Sequence, residues 1–336
     1  MLVIDAVQQS GQGSPVAGLI PRKNGSQLSP VPALFAACEH AGMRFIEFFT
    51  ANIRNPNTRR AYYSAACRFA SWCEAHDFGD LRRIQPVHVA AYIEEMQRSQ
   101  SRPSVKQHLA AIRMLMDWLV VGQVIPSNPA AAVRGPRHQV KKGKTPVLSA
   151  EEARTLLDSI ETTSVVGLRD RALIALMTYT FARVGAAVGM RVEDFYVQGR
   201  RAWVRLHEKG GKRNEIPAHH NLGDYLEQYI AAAGIAEDRN GHLFRGARGR
   251  KGELGGEPLG QSDVYRMIRR RTKIAGISTE IGCHTFRATG ITAYLKNGGR
   301  LEIAQQMAGH ESARTTGLYD RRGDEIALDE VERIGI

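Results

Sequence analysis

Hydrophobic residues recur at helical spacing through the first part of the chain, after a start that has no such pattern. Residues 1–30 are rich in Gly, Ser, Gln and Pro, so we expect a flexible arm there. Beyond the arm, four segments separated by polar loops are predicted as helices: 33–50, 58–76, 86–98 and 103–121. The last one carries apolar residues at steps of three and four: Val105, Leu109, Ile112, Met116 and Leu119. The pattern predicts a small four-helix domain over residues 31–133.

A basic stretch separates this domain from the rest of the chain. Residues 134–146 hold five Lys or Arg and no acid, which favours an extended, self-repelling linker over 134–147. The helical pattern resumes where Ser149 and Glu152 have the spacing of a capping box, and an apolar helix follows at about 168–179. We place a second domain at 148–323 and a short helix with its tail at 324–336.

The hydrophobic period changes in the middle of the second domain. Segments 195–197, 202–207 and 213–217 have the alternation of strands and are joined by Gly-containing turns. Helical patterns then return, apart from a Gly-rich stretch at 246–260. The predicted fold is mainly α, with a four-helix N-terminal domain and a mixed α+β domain that contains a small three-stranded antiparallel sheet.

Charge narrows the choice of partner. Lys and Arg total 46 against 34 Asp and Glu in 336 residues, a formal charge of +12, which favours a polyanion and nucleic acid first. The most apolar stretch, 109–125, contains Arg113 and Asp117 and therefore does not predict a membrane span. The N-terminus has no cationic start followed by an apolar block, so we expect no secretory signal. These features predict a cytoplasmic, nucleoid-associated protein without a membrane partner.

The cysteines lack the paired spacing of a zinc site or a disulfide framework: Cys38, Cys67, Cys73 and Cys283. We expect buried, reduced thiols.

Four short segments of the second domain hold residues suited to phosphate chemistry. They are Thr180-Phe181-Ala182-Arg183, the turn from Lys209 to Lys212, His284-Thr285-Phe286-Arg287, and Gly309-His310 followed nine residues later by Tyr319. Each pattern alone is weak, since a second His-x-x-Arg occurs at His242 and Arg245. Singly, each residue also has an ordinary structural alternative, such as a surface cation, a core histidine or a packed aromatic.

Their order and spacing make the second domain similar to the tyrosine recombinase family, also called phage integrases. Over about residues 150–320, the family pattern falls on Arg183, Lys209, His284, Arg287, His310 and Tyr319. The first domain resembles the family's helical core-binding domain through residues 57–62 and 128–130. Phe181-Ala182 replaces the family's usual Gly-Leu, and Ala186 stands where an acidic residue often supports the arginine. These departures bear on how accurately Arg183 is placed.

The resemblance implies a site-specific, integrase-like recombinase that cleaves and rejoins DNA through a 3'-phosphotyrosine at Tyr319, without a cofactor. Chemistry independently favours the same residues, because a tyrosine hydroxyl with a pKa of about 10 attacks a phosphodiester poorly unless the developing charge is stabilised. Arg183 and Arg287 offer planar forks to the nonbridging oxygens.

The remaining residues of the set suit proton transfer. His284 shares a helix face with Arg287 and is placed to take the tyrosine proton, and His310 supplies another donor. Lys209 is the candidate general acid for the leaving 5'-oxygen, with Lys212 a weaker one. Since the motif neighbourhoods offer no carboxylates at ligand spacing, we predict no metal cofactor.

Further basic residues are expected to contact double-stranded DNA: Arg59, Arg60, Arg102, Lys106, Lys141, Lys142, Lys144, Lys212, Arg269, Arg270 and Arg271. The last three lie near the end of a helix that we expect to be capped at Ser262. The resemblance implies that the C-terminal helix docks onto a neighbouring protomer. A tetramer on two DNA sites would follow, with room for accessory DNA-bending proteins.

Two alternatives stay open at this point. A type IB topoisomerase uses similar chemistry but relaxes supercoils as a monomer, and a catalytically silent protein would bind or bridge DNA without cutting it. Integration of a mobile element and resolution of DNA multimers are both compatible with the sequence.

Overall fold

The computed structural model describes residues 31–138, 143–208, 211–249, 252–320 and 332. The chain forms two compact units, with the division between residues 139 and 140. That division lies inside the stretch predicted as a linker, whose finer limits stay predictions. Several predictions fall outside the described residues: the arm at 1–30, Lys141, Lys142, Lys209 and, except for Glu332, the C-terminal helix and tail.

Within residues 31–138, the first unit holds four α-helices: α1 (Glu39–Glu47), α2 (Pro56–Ala75), α3 (Pro86–Ser99) and α4 (Arg102–Val121). Both long helices begin at a polar cap followed by proline in the first turn. The side chain of Asn55 accepts hydrogen bonds at the start of α2, and that of Ser101 does so at the start of α4. All five residues of the predicted apolar face of α4 are buried, which confirms that face.

The segment predicted as one helix at 33–50 is interrupted. A short 3₁₀ turn (Ala33–Phe35) precedes α1, and a π-helical turn (Phe48–Asn52) follows it. The rings of Phe35 and Phe49 pack against Phe45, with centroids 4.8 and 4.9 Å away. Aromatic packing therefore overrides regular helix periodicity here.

The described part of the second unit holds eight helices: α5 (Ala150–Asp158), α6 (Val165–Tyr179), α7 (Val184–Val188), α8 (His220–Ala233), α9 (Gln261–Ile274), α10 (Cys283–Lys296), α11 (Leu301–Met307) and α12 (Ala313–Gly317). The predicted capping box at Ser149 and Glu152 opens α5. α6 packs against α8 and α10, and most of its residues are buried. A helix that is apolar on most of its circumference belongs in the interior, and α6 is the centre of this unit.

A small antiparallel sheet interrupts these helices. Its strands β1 (Phe195–Gln198), β2 (Arg201–His207) and β3 (Arg213–Pro217) follow one another in chain order. Val204 on the central strand is opposite Phe195 on one side and Ile216 on the other, which gives the sheet one apolar face. The predicted three-stranded sheet is confirmed.

The Gly-rich stretch at 246–260 contains a second, two-stranded sheet that the hydrophobic pattern does not indicate. β4 (Arg245–Arg248) pairs with β5 (Glu253–Pro258) in antiparallel register. Most of its residues are exposed or half-buried, so little apolar alternation marks it in the sequence.

An ionic cluster lies in the interior of the second unit. Asp170 on α6 is fully buried, and its carboxylate accepts from Arg169 at 2.6 Å, Arg271 at 2.8 Å and Arg270 at 3.4 Å. Arg169 also donates to the main-chain oxygen of Arg245, 2.8 Å away. The cluster thus ties α6 to α9 and β4, and removing one partner of such a buried group is destabilising.

Two smaller expectations are wrong. α9 begins at Gln261 with Gly260 as its N-cap, so Ser262 lies inside the first turn. Cys73 is buried, but Cys38 is exposed. None of the four cysteines forms a disulfide bond. Within the described residues, no helix has the length and apolar character needed to cross a membrane.

α6 and α10 approach so closely that Gly290 has no room for a side chain. A Cβ there would lie 2.0 Å from the carbonyl oxygen of Thr178 and 2.8 Å from the ring of Phe181. One neighbour is a main-chain atom and the other is a packed ring, so neither can move aside easily to make room for a methyl group.

We therefore expect Gly290→Ala to lower the free energy of unfolding by about 1–3 kcal/mol or more, because the added methyl overpacks the interface. Gly223→Ala in α8 is the matched control, since its Cβ would meet Ala202 at an ordinary 3.8 Å. Helix propensity should make the control neutral or stabilising by up to about 1 kcal/mol. Thermal and denaturant unfolding measure both, and equal stability of the two variants would contradict the packing argument.

Candidate active site

Tyr319 lies just after α12 and is held on both its main chain and its side chain. Its N–H donates to the carbonyl of Thr316 at 2.9 Å, and its carbonyl accepts from the Thr292 hydroxyl at 2.9 Å. The side chain is 8% exposed, and its hydroxyl lies 2.6 Å from Nε2 of His284 on α10. A short hydrogen bond to an imidazole is the arrangement that a general base requires.

Arg287 follows His284 by one turn of α10 and is 1% exposed. Its Nη1 donates to the carbonyl of Phe181, and its Nη2 donates to that of Ala308 at 2.5 Å. Among the described residues, the buried Nε has no hydrogen-bond partner. Burial and the nearby Arg183 lower the pKa of Arg287 to about 10, so the guanidinium keeps its charge at neutral pH.

Arg183 is the N-cap of α7, and its side chain stays 40% exposed. Its Nη1 donates to Oε2 of Glu208 at 2.5 Å, whereas the glutamate side chain is only 6% exposed. Glu208 follows β2 directly, and its N–H donates to the carbonyl of Lys212 at 2.8 Å across the hairpin base. The sequence reasoning missed Glu208; its position between a strand and a basic turn was the available signal.

His310 follows α11, and its ring lies beside that of Tyr319. Its ring lies parallel to that of Tyr319, with centroids 5.8 Å apart and an interplanar angle of 7°. Nδ1 lies 2.9 Å from the hydroxyl oxygen of Thr316. Gly309, with φ of 57°, adopts the left-handed conformation that turns the chain back after the helix.

Both histidines are neutral near pH 7. Burial, followed by the charges of Arg287 and Arg183, lowers the pKa of His284. The same causes, with His284 in addition, lower the pKa of His310 to about 4. The two neutral rings therefore accept or donate hydrogen bonds without adding positive charge to a site that already holds two guanidinium groups.

Three of these residues, Arg183, Glu208 and His310, border a cleft of about 700 Å³, whose lining also includes Lys212 and Thr315. Lys212 is exposed at its rim and pairs with Glu311 at 3.0 Å. The structure thus brings together five of the six predicted residues, and Lys209 lies outside the described residues. Arg245 of the second His-x-x-Arg lies on β4 and pairs with Asp238 instead.

The residues expected to contact DNA have different surroundings. In the first unit, Arg59 donates to the carbonyl of Ile53 and Arg60 to the side chain of Asn57, while Arg102 and Lys106 are exposed.

In the second unit, Lys144 is exposed, and Arg269 pairs with Glu280 at 3.1 Å. Arg270 is about half exposed, whereas Arg271 is mostly buried against Asp170. Within the described ranges, no three His, Cys, Asp or Glu residues lie close enough to hold a metal ion.

Comparisons with known proteins identify the family of the chain. The model of the phage integrase family matches residues 146–325, and that of the family's N-terminal SAM-like domain matches residues 44–122. Tyrosine recombinase XerD of Corynebacterium glutamicum is 27% identical over 274 residues, which cover 78% of this chain and 86% of the relative. XerD of Chlorobaculum tepidum is 26% identical over 271 residues, covering 78% and 85%.

Solved structures share the fold. XerH recombinase bound to palindromic difH in a post-cleavage complex has a TM-score of 0.66 at 22% identity, covering 82% of this chain and 79% of that one. A lambda integrase tetramer bound to a Holliday junction has a TM-score of 0.65 at 20% identity, covering 85% and 79%. The chain belongs to the phage integrase family. It is a tyrosine recombinase, an enzyme of site-specific DNA recombination.

The lowered pKa of His310 predicts an acid instability. Above the ordinary histidine pKa of about 6.5, the ring is neutral in both the folded and the unfolded state and contributes nothing. As pH falls from there towards about 4, the unfolded chain takes up a proton that the folded ring refuses, so stability is lost. His310→Gln should lose less stability over this window. Ring-nitrogen NMR titration measures the pKa directly, and a value near 6.5 would contradict the argument.

Proposed function

We propose that the protein cleaves DNA through Tyr319, forming a 3'-phosphotyrosine bond and releasing a 5'-hydroxyl. The hydroxyl of a second strand then attacks that bond, rejoining the DNA without ATP. The contact of 2.6 Å between the Tyr319 hydroxyl and His284 Nε2 carries the proposal, because it offers the attacking oxygen a neutral base.

Two guanidinium groups stabilise the pentavalent phosphate in this proposal. Arg287 is fixed by main-chain carbonyls, and its side chain also interacts with that of Tyr319, so its charge lies beside the attacking oxygen. Arg183 is partly exposed at the cleft. His310 donates a further hydrogen bond from beside the tyrosine ring.

The leaving 5'-oxygen needs a proton as it departs. Lys209 is our candidate for the general acid, since it directly follows Glu208 in the turn after β2, and Lys212 on the cleft rim is the weaker one. No metal ion takes part in the proposed steps.

Double-stranded DNA is the proposed partner, and a tetramer on two sites the proposed assembly. The formal charge of +12 favours a polyanion. XerH is described bound to its difH substrate and lambda integrase as a tetramer on a Holliday junction.

The nucleophile is tested by trapping with detergent the covalent complexes formed on fragments of source-cell DNA, and sequencing the protein-linked 3' ends. Tyr319→Phe should lower adduct formation at least ~1000-fold, because removal of a nucleophile abolishes the covalent step. Tyr294→Phe is the matched control, since that ring packs in the same cluster.

Adducts that persist in Tyr319→Phe would reject this nucleophile. Tight binding without any wild-type adduct would favour a silent DNA-binding protein. Adducts without a shared site, together with relaxation by a monomer, would favour a topoisomerase.

DNA contacts are tested through the salt dependence of binding to a duplex, measured by fluorescence anisotropy. Arg102→Gln should reduce the slope of log affinity against log salt by about one, because one phosphate contact is lost. Arg271→Gln should instead lower the unfolding temperature, because it removes a partner of the buried Asp170. An unchanged slope for Arg102→Gln would remove that residue from the interface.

A further inference from the structure

The carboxylate of Glu208 is buried inside the cleft that the proposed chemistry uses. Its side chain is 6% exposed and its Oε2 lies 2.5 Å from Nη1 of Arg183. A buried carboxylate is unfavourable unless a cation or several donors compensate for lost water. The ion pair with Arg183 supplies that compensation and makes the placement of each side chain depend on the other.

Exposure differs strongly between the two partners. The Arg183 side chain is 40% exposed and the Glu208 side chain is nearly inaccessible, so the acid lies on the inner side and the guanidinium opens to the cleft. The hydrogen bond to Glu208 uses one nitrogen of Arg183, and a guanidinium has five N–H donors in a rigid fork. Other N–H donors of Arg183 therefore stay free for a phosphate, while the carboxylate of Glu208 fixes the orientation of the guanidinium plane.

The helix that carries Arg183 provides no acid of its own. α7 reads Val-Gly-Ala-Ala-Val, and Ala186, three residues after the arginine and on its side of the helix, is buried and apolar. The hairpin after β2 supplies the charge instead. The N–H of Glu208 donates to the carbonyl of Lys212 at 2.8 Å, which fixes the main chain of the glutamate across the base of that hairpin.

We propose that Glu208 is a positioning residue for the recombination chemistry, holding the Arg183 guanidinium against the scissile phosphate from the hairpin that also carries Lys209. The inference rests on the proposed function.

The test compares three variants with the wild type: Glu208→Gln, Glu208→Ala, and the double variant that combines Glu208→Ala with Ala186→Glu. At saturating DNA, adduct formation should slow about 10-fold in the amide variant, which keeps a hydrogen bond but loses charge, and about 100-fold in the alanine variant. An acid at residue 186 lies within reach of Arg183 and should restore at least about 10-fold. DNA affinity should change less than the rate.

Glu215→Gln is the matched control, because Glu215 forms an exposed ion pair with Arg205 in the same sheet and should leave the rate unchanged.

A second readout does not depend on catalysis. The Nε–H NMR signal of Arg183, assigned with Arg183→Lys, should be sharp and slow to exchange in the wild type, broadened in Glu208→Ala and recovered with Ala186→Glu. If Glu208→Ala does not fold, Glu208→Gln carries both measurements. Unchanged rates and signals would overturn the inference, and so would faster cleavage by Glu208→Gln, which would make the carboxylate a competitor of the phosphate. A wild-type protein that forms no adduct would reject the proposed function, while the NMR comparison would still decide whether Glu208 positions Arg183.

Discussion

The burial of a single guanidinium organises the second unit. Arg287 on α10 is 1% exposed, yet its two terminal nitrogens donate to carbonyls that lie just past the ends of α6 and α11, at Phe181 and Ala308. Carbonyls at a helix C-terminus lack intrahelical donors and carry the negative end of the helix dipole, so they suit a buried cation. The arginine thereby joins three segments of the site, and a misplaced segment would leave a buried charge without partners, which typically costs about 3–5 kcal/mol.

The buried guanidinium of Arg287, which we call the anchor, also affects the electrostatics of the site. With one guanidinium fixed in place, a second one at Arg183 adds repulsion, and each charge disfavours protonation of the histidines nearby. Neutral imidazoles and one carboxylate, that of Glu208, keep the excess of positive charge tolerable while DNA is absent. A phosphodiester would bring the negative charge that the site lacks, so the same positive charges that would favour its binding are those that the proposed chemistry uses.

The sequence predicted those elements that depend on interactions between residues close together in the chain. The polar caps of α2, α4 and α5, the apolar face of α4 and the alternation of β1–β3 each act within a few residues. The π-helical turn at 48–52 was missed because aromatic packing decides it, and the β4–β5 hairpin was missed because its mostly exposed residues show little apolar alternation. The pairs Arg183–Glu208 and Arg271–Asp170 span 25 and 101 residues, so no periodicity marks them. The candidate site residues were named from a family pattern, whereas the contacts that orient their side chains could be read only from the fold.

Phe181 shows how strain and burial are balanced at the anchor. Its φ of 56° lies in the left-handed region, where a residue other than glycine is disfavoured by about 1–3 kcal/mol. That backbone conformation aims the carbonyl at Arg287, and a glycine would adopt it without strain. The ring, however, is buried against Gly290 and Tyr294, and emptying such a site costs about 3–5 kcal/mol. The burial of the Phe181 ring therefore outweighs the backbone strain, and the close approach of α6 and α10 at Gly290 leaves room for that ring.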